Sequence, residues 1–137
     1  MLIQHRTKLA SQSHISGGIY WTFHAQDKMR FYRLSEARVK RVLNNPKRVE
    51  EGVAPKTLAI MQPNSVSSVR HQASSSEKRE MWKQEIWVMA QKVSGVKGQA
   101  PRVKIISAWR YPGMSKPRSE AIKNLMKQEY EQFASRK

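Results

Sequence analysis

The sequence predicts an α+β fold: a four- or five-stranded antiparallel sheet with two N-terminal helices and one C-terminal helix. Two observations support this fold class. Strand-like segments follow one another through the middle of the chain, and helical patterns lie on either side of them. This order is typical of α+β proteins with antiparallel sheets. We expect one domain over residues 1–137, with the helices on one face of the sheet and the other face open to a ligand.

The first third of the chain predicts a strand, a helix, a tight turn and a second helix. Residues 19–23 are mostly β-branched or aromatic, which favours a strand. Residues 24–31 have helical periodicity, and Ser35 is a suitable N-cap for the next helix. That helix ends at Asn45, because the residue before a proline is disfavoured in the helical region. Residues 1–17 predict a basic N-terminal arm or a short first strand.

The rest of the chain predicts four strands and a final helix. The strands are expected at residues 48–50, 57–61, 82–92 and 102–111. Residues 64–78 contain six serines and no regular periodicity, so we expect a flexible loop there. Residues 94–101 contain two glycines and predict a hairpin loop. Ser115 predicts the N-cap of the last helix. The apolar face of that helix is expected to contain Ile122, Leu125, Met126 and Phe133.

The charge of the chain indicates a polyanionic partner. Lys and Arg number 26 against 10 Asp and Glu, which gives a formal net charge of +16. A charge this large opposes compaction, and binding to phosphates compensates for it while releasing counterions. One alternative is an anionic membrane surface, although no lipidation motif is present. Another is a charge that only keeps the protein soluble.

The composition disfavours several kinds of catalytic site. The chain has no cysteine, which excludes disulfides, thiol catalysis and thiolate metal ligands. Asp27 is the only aspartate, and no two histidines are four residues apart, so a metal centre is disfavoured. No apolar run approaches the roughly 18 residues of a membrane helix. Residues 1–18 lack the apolar core of a secretory signal. We expect a cytoplasmic protein without a metal or cofactor.

Metal-independent RNA cleavage remains as a chemistry that these residues can perform. It needs a base for a ribose 2′-hydroxyl and cations for the phosphate. His24 is a candidate base because histidine titrates near neutral pH. Lys28 lies on the same helix face, and Arg33 follows that helix. The alternative is that His24 makes a structural hydrogen bond and that the two cations are ordinary surface charges.

A second group of candidate residues lies on the last predicted strand. Ser107, Trp109 and Tyr111 alternate along it and share one face, while Arg110 lies on the other. A hydroxyl beside an aromatic ring can bind a phosphate and stack a base. We expect Trp109, Tyr111 and Lys104 to bind RNA. The alternative for Trp109 is a place in the core.

Two segments carry a resemblance to a known family. Residues 22–25 (T-F-H-A), followed by Met29, Arg33 and Ser35, resemble a family of small bacterial proteins of unassigned function with the pattern H-A-x-x-x-M-x-x-R. Residues 106–110 resemble the strand I-[TS]-x-[WY]-R of the same family. That family is similar to RelE-like and BrnT-like ribonuclease toxins and to the tRNase domain of colicin D.

The resemblance implies a RelE/barnase-like toxin fold and metal-free cleavage of RNA. It implies that His24 is a general acid or base and that Lys28 and Arg33 are phosphate-binding cations. The segment from Ser107 to Trp109 is similar to a Ser-x-Trp on the sheet of the colicin D domain. A toxin of this kind also implies an acidic antitoxin partner.

The function predicted from the sequence is a metal-independent endoribonuclease of toxin type. It would cleave RNA, either tRNA or mRNA, by attack of the 2′-hydroxyl. His24 would transfer the proton, Lys28, Arg33 and Arg110 would stabilise the phosphorane, and Ser107 would orient a phosphate oxygen. The alternative is a non-catalytic RNA-binding or ribosome-associated protein. A DNA-binding regulator ranks third, because no helix carries a dense stripe of base-reading side chains.

Overall fold

The computed structural model describes residues 14–16, 18–70, 78–93 and 102–135. The α+β class is confirmed. The strands are β1 (His14–Ser16), β2 (Ile19–Trp21), β3 (Arg48–Glu51), β4 (Thr57–Pro63), β5 (Ser67–Arg70), β6 (Lys78–Met81), β7 (Gln84–Val93) and β8 (Arg102–Pro112). The helices are α1 (Phe23–Tyr32), α2 (Glu36–Asn44) and α3 (Glu120–Ser135). Within the predicted N-terminal arm, residues 14–16 are a strand, and residues 1–13 lie outside the described part.

The main sheet has six strands in the order β1-β2-β8-β7-β4-β3. Four of its five pairings are antiparallel, but β2 and β8 are parallel. The expectation of a purely antiparallel sheet of four or five strands is therefore wrong. No hairpin turn joins β2 to β8, since β2 continues into α1. The alternation of apolar and polar residues along β2 does not indicate whether its partner strand runs parallel or antiparallel, and β8 is more than 80 residues away in sequence.

A second, two-stranded sheet begins within the segment that was expected to be a flexible loop, because β5 lies inside residues 64–78 and β6 starts at residue 78. Strands β5 and β6 pair in antiparallel register, with Ser67 opposite Met81 and Arg70 opposite Lys78. The prediction of a continuous loop over residues 64–78 is wrong for β5. Residues 71–77 lie outside the described part of the chain, as do residues 94–101 of the predicted hairpin loop.

Side-chain caps determine where the three helices begin. The hydroxyl of Thr22 accepts a hydrogen bond from the Ala25 amide at the start of α1, and that of Ser35 does the same for Arg38 at the start of α2. The start of α3 differs from the prediction. Ser119 accepts from the Ile122 amide at 3.3 Å, whereas the Ser115 hydroxyl donates to a buried carboxylate instead.

Helices cover both faces of the main sheet, contrary to the expectation of one open face. Helices α1 and α2 bury one apolar cluster against the sheet, and α3 buries a second cluster on the opposite face. Strand β7 contributes alternate residues to the two clusters, with Val88 on the α1 side and Trp87 on the α3 side. None of the described helices is long and apolar enough to cross a membrane.

A buried carboxylate connects β7 to the segment that precedes α3. Glu85 is fully buried and accepts hydrogen bonds from the indole nitrogens of Trp82 and Trp87, each at 2.9 Å. It also accepts from the amide of Ser115 at 2.9 Å and from its hydroxyl at 2.5 Å. Four donors therefore satisfy the charge, which makes its burial tolerable.

We predict that Glu85→Gln lowers the free energy of unfolding by about 3 kcal/mol, because the amide cannot accept from all four donors. Urea titration followed by tryptophan fluorescence measures the change. Glu51→Gln, at an exposed position on β3, is the matched control and should change stability little. Equal free energies of unfolding for the two variants would show that the Glu85 carboxylate does not stabilise the fold.

Candidate active site

Helix α1 lies along the edge of β8 that β2 leaves free. Strand β2 pairs with residues 103–105 of β8, and the chain then becomes helical. The Thr22 hydroxyl donates to the Ile105 carbonyl at 2.7 Å, and Arg110 Nε donates to the Tyr32 carbonyl at 2.8 Å. The ten residues of α1 span about 15 Å. The segment of β8 from Ile105 to Arg110 has a similar length of roughly 17 Å. The two ends of α1 are therefore fixed to β8.

A β-bulge in β8 directs Ser107 towards α3. Met89 of β7 is opposite Ser107, whereas the next residue, Ala90, is opposite Ile105, so Ile106 is the extra residue. Ile106 packs in the cluster beneath α3, and Ser107 is fully buried on the same side. A bulge changes the alternation of side chains and often re-aims one at a functional position.

The side chains of His24, Lys28 and Ser107 converge on the carboxylate of Glu129 in α3. His24 Nε2 lies 2.9 Å from Oε1, and Ser107 Oγ donates to the same oxygen at 2.5 Å. Lys28 Nζ lies 2.9 Å from Oε2. His24 and Glu129 are 6% and 5% exposed. Three residues predicted from the sequence thus lie together around a fourth that was not predicted.

The Glu129 carboxylate is ionised at neutral pH. Burial alone would raise its pKa, but hydrogen bonds from His24, Ser107 and Lys28 and the charge of Lys28 together hold its pKa below the usual range. An ionised carboxylate only accepts hydrogen bonds, so His24 Nε2 must be the donor.

The other ring nitrogen of His24 is then free to accept a proton. Nδ1 makes no hydrogen bond to another described residue. A carboxylate on one imidazole nitrogen fixes the tautomer and stabilises the imidazolium that forms when the other nitrogen takes a proton.

The structure places Arg33 and Arg110 away from this cluster. Arg33 follows Met29 by four residues, one more than the H-A-x-x-x-M-x-x-R pattern specifies, so the pattern's arginine position is occupied by Tyr32. Arg33 is the left-handed C-cap of α1, with φ of 57°. Nine residues of helix separate it from His24, about 14 Å. Arg110 lies at the same end of α1, so the expectation that both arginines share the site of His24 is wrong.

Trp109 belongs to the core rather than to an open face. It is 2% exposed and stacks on Trp87, with 6.2 Å between ring centroids and an interplanar angle of 5°. The prediction that it stacks a base is wrong, because α3 covers this face. Tyr111 is half-buried against the same cluster. Lys104 Nζ lies 6.0 Å from the ring centroid of Tyr20 and 5.7 Å from that of Phe133.

Sequence reasoning missed Glu129, although the chain contains a signal for it. The buried residues of α3 recur at helical spacing, at Ile122, Met126, Glu129 and Phe133. A carboxylate within an otherwise apolar helix face must find a charged or hydrogen-bonding partner in the core. Within the described residues, no group of three or more histidine, aspartate or glutamate side chains is suited to hold a metal ion.

Comparison with known proteins identifies no relative. No family model matches the chain, and no match is found among curated proteins or among solved structures.

We predict that Glu129→Gln destabilises the protein by about 3 kcal/mol near neutral pH, because it removes the counter-charge of the half-buried Lys28 and weakens the acceptor for His24 and Ser107. The lowered pKa means that the native carboxylate stays ionised to a lower pH than the unfolded one. Its contribution is complete above the unfolded pKa of about 4.3 and is lost as pH falls through the folded value. The difference from the unmodified protein should therefore shrink as pH falls below about 4.3.

Urea titrations from neutral pH down to about pH 3 measure this dependence. Glu131→Gln, at an exposed position of the same helix, is the control and should have a small effect at every pH. A constant difference between Glu129→Gln and the unmodified protein over this range would contradict the assigned ionisation.

Proposed function

We propose that the protein is a metal-independent endoribonuclease that cleaves RNA by attack of the 2′-hydroxyl. The observation that carries this proposal is the contact between His24 Nε2 and Glu129, which leaves Nδ1 as the basic nitrogen. Lys28 lies one helical turn away on the same face of α1 and reaches the same carboxylate. The net charge of +16 supplies attraction for the phosphate backbone.

The proposed reaction requires one base and one cation at the scissile phosphate. His24 Nδ1 takes the proton of the ribose 2′-hydroxyl, and O2′ then bonds to the adjacent phosphorus. The bond from phosphorus to the 5′-oxygen breaks, and the leaving oxygen takes a proton from water. The hydroxide that remains takes the proton from the His24 imidazolium, which restores the base. The products are a 2′,3′-cyclic phosphate and a 5′-hydroxyl. Glu129 stabilises the His24 imidazolium, as a buried carboxylate does in hydrolases that use histidine as a base.

Lys28 is the cation best placed to bind the phosphate. Its side chain is 21% exposed, so it is more accessible than His24 or Glu129. One ammonium proton is directed to Glu129, and an ammonium group has two more to donate to phosphate oxygens. Ser107 is fully buried and donates to Glu129, so its proposed part is to orient the carboxylate rather than a phosphate oxygen.

The proposal extends to a toxin role in the cytoplasm, with a RelE/barnase-like fold and an acidic antitoxin. The α+β architecture and the excess of positive charge support it. An acidic protein partner would cover the basic surface by charge complementarity and prevent RNA from binding.

Binding of RNA without cleavage is the second candidate. The burial of His24 favours it, because a base must lie within hydrogen-bonding reach of the proton that it abstracts. In this case the four-residue cluster is a structural connection among α1, β8 and α3, and the basic surface alone carries the function.

We predict that the purified protein cleaves RNA in the presence of excess EDTA and leaves 2′,3′-cyclic phosphate ends. His24→Ala should lower the rate about 100-fold or more, because general base catalysis contributes at least that factor. Glu129→Gln should lower it about tenfold or more through loss of the histidine's orientation. End analysis of a labelled RNA pool measures both effects, with circular dichroism as the check on folding.

Glu131→Gln is the matched control and should cleave at the unmodified rate. Equal rates for His24→Ala and the unmodified protein would show that His24 is not the base. Tight binding of RNA that stays intact in EDTA would favour the second candidate.

A further inference from the structure

Two arginine side chains are held in place at the end of α1 that is remote from His24. Arg110 is half-buried, and it donates through Nε to the Tyr32 carbonyl and through a terminal nitrogen to Gln84 Oε1 at 2.9 Å. Arg38 of α2 is also half-buried, and it donates to the side-chain oxygen of Gln62 and to the Pro63 carbonyl at 3.4 Å. These hydrogen bonds fix both guanidinium groups but bring no negative charge to them.

Arg41 adds a third cation to the same place. Burial lowers the pKa of Arg38, and the charges of Arg41 and Arg110 lower the pKa further. Arg41 follows Arg38 by three residues on α2, so the two side chains are neighbours on the helix surface. Arg38 therefore lies between two guanidinium groups that repel it. Arg41 lies in the last turn of α2, and its side chain is exposed.

Four carboxylates of the described residues, those of Asp27, Glu50, Glu80 and Glu129, pair with other cations. The ion pairs are Lys28–Glu129, Arg30–Asp27, Lys47–Glu80, Arg48–Glu50 and the contact of His24 with Glu129. Among the described residues, none of Arg38, Arg41 and Arg110 has a carboxylate partner. A cluster of like charges that is partly removed from water stabilises the fold only when an anion joins it.

We infer that Arg38, Arg41 and Arg110 form a binding site for the phosphodiester backbone of RNA, separate from the candidate active site. The inference rests on the proposed RNA-binding function and names the residues that hold the strand. Guanidinium groups fork onto phosphate oxygens, and groups that are already fixed by neutral acceptors lose little entropy when they bind. The exposed amide of Asn64, 3.5 Å from a terminal nitrogen of Arg110, lies beside the cluster and can donate to the same strand.

The position of this site indicates how RNA reaches His24. Arg110 donates to the carbonyl of Tyr32 in the last turn of α1, and His24 lies in the first turn. Eight residues of helix, about 12 Å, separate the two positions. A strand that contacts both must run along α1, so the arginine cluster sets which phosphate lies at His24.

Arg41→Gln tests the site, because the side chain of this arginine is exposed and makes no hydrogen bond or ion pair with another described residue. The dissociation constant for a labelled single-stranded RNA is measured by fluorescence anisotropy over a range of salt concentrations. Loss of one phosphate contact should lower the salt slope by about 0.7 and weaken binding several-fold at moderate salt. Lys127→Gln, an exposed position on the opposite face of the sheet, should leave the slope unchanged. Arg41→Lys should restore it.

The outcomes separate this site from the proposed function. A slope for Arg41→Gln equal to that of the unmodified protein would overturn the arginine site while RNA binding stands. Failure of the unmodified protein to bind RNA would overturn the proposed function itself. Polyglutamate binding that Arg41→Gln weakens, together with RNA binding that Arg41→Gln leaves unchanged in affinity and salt slope, would assign the cluster to an acidic protein and overturn its assignment to RNA.

Discussion

The buried carboxylate of Glu129 is the interaction on which the candidate site depends. It joins α3 to α1 through His24 and Lys28, and to the central strand β8 through Ser107. A buried ion network of this kind adds little net stability against a well-packed apolar alternative, but removal of one member leaves the others buried without a partner. The chemistry of His24 and the attachment of the last helix are therefore coupled through one side chain.

The scarcity of acidic residues determines the character of the molecular surface. Ten carboxylates face 26 basic side chains, and Glu50, Glu85 and Glu129 are buried. These three accept hydrogen bonds inside the fold and cannot neutralise cations on the outside. The external charge is therefore even less balanced than the composition indicates. Positive charge is concentrated at the C-terminal end of α1, because Arg38 and Arg110 donate to neutral oxygens rather than to carboxylates. Such a surface has an electrostatic reason to bind a polyanion.

Much of the local structure could be predicted from the sequence, because caps and periodicity are properties of adjacent residues. The Ser35 cap, both helices of the first third and the pairing of β7 with β8 follow from such signals. The parallel pairing of β2 and the cover of α3 over the second face depend on contacts distant in sequence. The base-stacking role of Trp109 was wrong for this reason: alternation along β8 placed it on one face, but only the tertiary fold shows that α3 buries that face.

The prediction of the site succeeded where spacing along one element was enough and failed where elements meet. His24 and Lys28 share a helix face because they are four residues apart. Glu129 was invisible to that reasoning, since its partners are more than 20 residues away in sequence. Arg33 shows the opposite error, because its closeness to His24 in sequence led to the prediction that the two side chains share one site. A helix places residues nine apart about 14 Å from one another, so α1 separates the two ends of the predicted set.

The attachment of α1 to β8 keeps His24 and the arginine cluster at a constant distance from each other. The helix protects the edge of β8 beyond residue 105, where β2 ends. Helix α1 carries His24 in its first turn and is bound by Arg110 of the arginine cluster at its last turn. Hydrogen bonds to Ile105 and from Arg110 attach the two ends of α1 to β8. The distance between His24 and the arginine cluster is therefore set by the fold, and the proposed RNA strand would have to match this distance to contact both.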